Sequence, residues 1–89
     1  MHYLIINRTR TDLTPDQYRE LAARAREFYG NIPAGLTLHS DWGALDGSCT
    51  YAIMETEDRT LLDRIQAPFR PFVDMEVIPV RSLPGWGRP

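Results

Sequence analysis

Lysine is absent from this chain. All ten basic residues are arginine, so no side-chain Schiff base can form and no lysine-dependent phosphate loop can operate. Cysteine occurs once, at Cys49, which excludes an intrachain disulfide and a cysteine-rich metal site. Histidine is scarce: His2 and His39 are the two present, they fall on different predicted strands, and no metal site is expected from them. No apolar run approaches the roughly 20 residues of a membrane span. The short apolar run at the start lacks the core length and cleavage pattern of a secretion signal. A surplus of positive charge is missing too. The net charge is −2, whereas a protein that tracks phosphates needs excess cations. These absences point to a soluble, cytoplasmic protein with neither nucleic acid nor membrane as partner.

What remains is ordinary globular composition. At 89 residues the chain holds one domain. Such a domain buries only about 60–65% of its unfolded surface, and pairing with a second copy is a common remedy for the thin core. Tyr3-Leu4-Ile5-Ile6 is a continuous apolar run and reads as a central strand. Thr14-Pro15-Asp16-Gln17 is a helix start: Thr14 can cap, Pro15 suits the first turn, and Gln17 completes a capping box. Tyr18, Leu21, Ala22, Ala25, Phe28 and Tyr29 then recur at helical spacing, with Arg19, Glu20, Arg24, Arg26 and Glu27 facing water. Gly30 is a natural stop.

Leu36 to Ala44 alternates imperfectly as a strand, Asp46-Gly47 signals a hairpin, and Cys49 to Thr56 returns. With Asp46 and Gly47 at the centre of the turn, Trp42 lies opposite Tyr51. His39, Asp41, Thr50, Ala52 and Met54 then share one face, and Leu38, Ser40, Trp42, Tyr51 and Ile53 the other. Asp58 or Thr60 caps a shorter helix carrying Leu61, Leu62 and Ile65. Val73 to Val80 is the last strand, placed at an edge by Pro79. Residues 1–81 thus form one domain, and 82–89 a Pro/Gly-rich tail with Trp86.

The order strand, helix, strand, strand, helix, strand is that of an α+β, ferredoxin-like β-α-β-β-α-β sandwich, with a four-stranded antiparallel sheet and both helices on one face. The first strand is apolar on both sides, so the uncovered face calls for a second copy. A homodimer is expected.

The opening His2-Tyr3-Leu4-Ile5-Ile6-Asn7-Arg8-Thr9, the helix start Leu13-Thr14-Pro15, the hairpin from Trp42 to Gly47, the run Tyr51-Ala52-Ile53-Met54-Glu55 and the ending Val77-Ile78-Pro79-Val80 resemble the family known as domain of unknown function 3303. The resemblance implies a dimeric α+β barrel, a fold group that includes small monooxygenases, muconolactone-type isomerases and polyketide cyclases. It brings no active site that can be carried over residue by residue.

The residues themselves offer three candidates. His39 and Asp41 are two apart on a strand, so they leave one face, where the carboxylate could orient the histidine as a general base. The bland alternative is a solvated pair. Trp42 and Tyr51 form a cross-strand aromatic pair that either lines a pocket or stabilises the sheet. Tyr18 and Asn7 would give a polar lining to any cavity between helix and sheet, with Asn7 as partner to the phenol. Cys49 lacks a cationic neighbour and reads as structural. Two functions fit. One is a small cofactor-independent enzyme acting by proton transfer on a hydrophobic aromatic or carbonyl-containing metabolite, as a cyclase or isomerase does. The other is a non-catalytic small-molecule-binding or oligomerisation module.

Overall fold

The structure, a computed structural model, describes residues 1–83; Trp86 and the rest of the stretch 84–89 lie outside the described residues. Strand β1 (His2–Thr9) occupies an inner position because it is apolar on both faces. Tyr3 and Ile5 are buried on one side and Leu4 and Ile6 half-buried on the other. Helix α1 (Pro15–Gly30) opens with the capping box the sequence spells out. The Gln17 backbone donates to Thr14 Oγ1 at 3.2 Å, and the Thr14 backbone to Gln17 Oε1 at 2.7 Å. Two of the orphan amides of the first turn are thereby satisfied.

Strands β2 (Thr37–Gly43) and β3 (Thr50–Glu55) form the hairpin, with Trp42 opposite Tyr51 as the sequence requires. The hydrogen-bonded turn runs from Ala44 to Gly47, so Leu45 and Asp46 are its central pair rather than Asp46 and Gly47. Gly47 follows at φ 75°, a left-handed value that glycine adopts at no steric cost. Towards the start of β2 the register slips by one residue between Leu38 and Ser40. This bulge at His39 breaks the alternation. Leu38 now stands opposite Met54 and packs into the core, while Ser40 stands opposite Ile53.

Helix α2 (Arg59–Gln66) is capped by Asp58, whose carboxylate accepts from the Thr60 amide at 2.9 Å. A 3-10 turn, Ala67–Phe69, leads on to strand β4 (Val73–Val80). The sheet order is β2-β3-β1-β4, antiparallel throughout, and Pro79 does lie on an edge strand. Both helices cover one face. Tyr3, Ile5, Ala52 and Met54 from the sheet join Leu36 and Leu62 in the core, with Phe28, Leu61 and Ile65 against them.

The two helices are seated differently. Leu62 of α2 is fully buried, whereas α1 contributes no buried residue. Helix α1 leans on its neighbours through Phe28, edge-on to Phe69 at 6.3 Å, and through Arg24, which lies 5.8 Å from the centre of the Phe72 ring. Arg24 is therefore half-buried rather than on the wholly solvated face expected of it. Among the described residues nothing covers the opposite face of the sheet. Trp42 is 68% exposed there and Tyr51 38%.

Candidate functional site

Helix α1 stands off the sheet because a cavity of about 230 Å³ lies beneath it. Its walls are mainly apolar: Leu21, Ala25 and Phe28 from α1, Ile5 and Met54 from the sheet, Ile65 from α2. Against this background two polar side chains stand out. Asn7 donates through Nδ2 to Thr50 Oγ1 at 3.2 Å, but its Oδ1 is buried without a donor. Gln66, only 4% exposed, has its Nε2 buried without an acceptor. Leaving a buried polar group unpaired costs about 1–3 kcal/mol. Both residues border an otherwise greasy chamber, so one unmet acceptor and one unmet donor stand within its walls, a composition that suits a small-molecule site.

Tyr29 also lines this cavity. Its phenol is pushed up to about 12, first by burial and then by the neighbouring Asp41 carboxylate. Asp41 reaches it because it stands opposite Ala52 and so points to the helix-covered face of β2. Tyr29 is the one titratable side chain that lines the cavity among the described residues; Asp41 lies outside the lining and acts on it through the phenol.

The expectation that His39 and Asp41 share a face is corrected by the bulge. Asp41 stays on the helix side, and His39 leaves the uncovered side, where its Nε2 lies 2.8 Å from Glu55 Oε1. His2, opposite Glu55 on β1, brings its own Nε2 to 3.6 Å from the same oxygen. The two imidazoles are 5.0 Å apart, centre to centre. The hydrogen bond from His39, reinforced by His2, holds the Glu55 carboxyl below its usual range. Separate strands therefore did not keep the histidines apart, because β3 places Glu55 between them.

The other candidates divide in the same way. Asn7 lines the cavity, but its partner is Thr50 and not Tyr18. Tyr18 donates to the Arg10 carbonyl at 3.3 Å and borders a second, more open groove beside Gly47 and Ser48, which shares Thr9, Leu21 and Ala25 with the cavity. Trp42 and Tyr51 lie on the uncovered face, away from the cavity. Gln66 escaped the sequence reading. Its signal was positional: four residues after Leu62 and next to Ile65, it falls on the packed face of α2.

A four-stranded antiparallel sheet in the order β2-β3-β1-β4 with both helices on one face and a hollow beneath the first helix is a ferredoxin-like fold. The solved structures include a match to the crystal structure of muconolactone isomerase, with a TM-score of 0.72 at 18% identity, covering 100% of this chain and 97% of the other. At that identity the likeness is one of fold. The chain belongs to the family described as "Domain of unknown function (DUF3303)", whose model matches residues 1–87. Nothing among the curated proteins matches it.

Proposed function

We propose that the protein binds a small, largely apolar, carbonyl-containing molecule beneath α1 and shifts a proton on it, in the manner of an isomerase or cyclase. The observation that carries this reading is the pair of unmet groups, Asn7 Oδ1 and Gln66 Nε2, in one apolar cavity. On a small rotation of each side chain, a ligand carbonyl would accept from Gln66 and a ligand hydroxyl would donate to Asn7. The volume, about 230 Å³, lies below the roughly 300–1,000 Å³ of pockets for drug-sized ligands. It suits a compound of one ring.

Tyr29 and Asp41 supply the path for the proton. The phenol, held neutral, accepts a proton from the ligand as it passes its own to Asp41, and returns it to a different atom of the ligand in the reverse sense. A shift within one molecule consumes no second reactant. The fold likeness to muconolactone isomerase supports the reaction class, and muconolactone is the first compound to try. Exchange of solvent deuterium into a bound lactone or cyclic enone, followed by NMR, tests the reading. Binding with exchange that disappears in Tyr29→Phe supports proton transfer. Binding without exchange makes the protein a carrier. The absence of binding across such a panel overturns both.

Pairing of two copies through the uncovered sheet face belongs to the same reading. Leu4, Ile6, Ile53, Trp42 and Tyr51 leave an apolar surface there that a second sheet would cover. The class of fold supports the arrangement.

A further inference from the structure

We propose that His2, His39 and Glu55 form a binding site for a divalent transition ion of the zinc class, on the uncovered sheet face and independent of the cavity. Three adjacent strands supply one ligand atom each, and these atoms all lie within 4.8 Å of one another. His39 Nε2 and His2 Nε2 stand 2.8 and 3.6 Å from the same Glu55 oxygen. Around a tetrahedral ion with bonds of about 2.0–2.2 Å, neighbouring ligand atoms are roughly 3.3–3.6 Å apart. The side chains are between 39% and 44% exposed, which leaves each of them room to turn on its solvent side.

The backbone itself builds the cluster. Without the bulge, alternation would send His39 to the helix side with Asp41; the extra residue re-aims it at Glu55. Register then sets His2 directly opposite Glu55 on the other flank. Two imidazoles and one carboxylate favour zinc, cobalt or nickel over calcium or magnesium, which take oxygen ligands. Three protein ligands leave a tetrahedral ion one position open to water or an exogenous ligand, the pattern of reactive rather than purely structural sites. The cluster stands at one end of the sheet, four residues along β1 from the Ile6–Tyr51 pair, roughly 13 Å away.

Calorimetric titration of the full chain with Zn²⁺ at neutral pH, and with Co²⁺ followed by visible absorption, tests the assignment. One ion per chain is expected. His39→Ala, His2→Ala and Glu55→Gln should each weaken binding by at least about tenfold, since even supporting groups around a metal cost 10–100-fold, with the far-ultraviolet circular dichroism unchanged. No heat and no cobalt spectrum with the parent chain would overturn the site. So would undiminished binding by the chain carrying both His39→Ala and Glu55→Gln, which would leave the ion on His2 and the terminal amine. Ni²⁺ broadening of both histidine ring signals in the unaltered protein gives a readout that depends on no variant; broadening of only one ring, or of neither, would count against the site.

Discussion

Asn7 on β1 and Gln66 on α2 border one cavity with opposite deficits, an acceptor without a donor and a donor without an acceptor. In the free protein each is a cost. Gln66→Met keeps the length of the side chain and removes the unmet amide, so it should raise the stability of the free protein by about 1–3 kcal/mol. It should also abolish binding of a carbonyl compound. Urea unfolding, read beside a ligand titration, checks both halves. A variant less stable than its parent would mean that the amide is satisfied in solution.

Tyr29 should ionise with a midpoint near 12, well above the ordinary phenol value of 10.0. A phenol whose pKa is raised on folding contributes stability that is fully present below its unfolded value of 10.0. That contribution is lost as pH climbs through the folded value. Alkaline unfolding should therefore steepen across this window. Asp41→Asn should lower the midpoint part of the way, since burial is the larger cause. Ultraviolet difference spectra of the phenolates follow it, and an unmoved midpoint would separate Asp41 from Tyr29.

Leu62→Ala should cost about 2–5 kcal/mol, as emptying a fully buried site does. Leu21→Ala should cost less than about 2 kcal/mol, because that side chain is half-buried and already borders a hollow. Chemical denaturation ranks the two. Equal losses would mean that α1 sits on the sheet as closely as α2 does.

Trp42→Glu should convert a dimer to a monomer without unfolding it. The indole is 68% exposed on the uncovered face of a single chain, so the carboxylate harms only an assembly that buries it. Light scattering with and without the substitution reads the mass. A parent chain that is already monomeric at micromolar concentration would remove the case for pairing.

Much of the fold was legible because its signals are local. The capping box at Thr14 and Gln17, the apolar run of β1 and the turn after Trp42 each declare themselves within a few residues. The candidate site was half legible. Asn7 could be placed beneath the first helix, since strand alternation puts it on the face of Tyr3 and Ile5. Gln66 could not, because a glutamine on a short helix looks like surface until the packed side of that helix is known. The bulge at His39 has no residue that announces it; imperfect alternation between Leu36 and Ala44 was its whole trace. It arises where Leu38 gains burial beside Met54. One extra residue then parted His39 from Asp41 and delivered it to Glu55, a partner 16 residues away.

The two outer strands share a property with a different consequence. β2 carries the bulge, and β4 carries Pro79, which has no amide hydrogen to offer. A flat, regular rim invites further strands and grows into fibrils. Here one rim is twisted out of register and the other lacks a donor, so lateral growth of the sheet is discouraged on both sides. In the pairing proposed above, self-association would be left to the broad apolar face, where stacking one sheet on another would use up the surface that drives it and end at two.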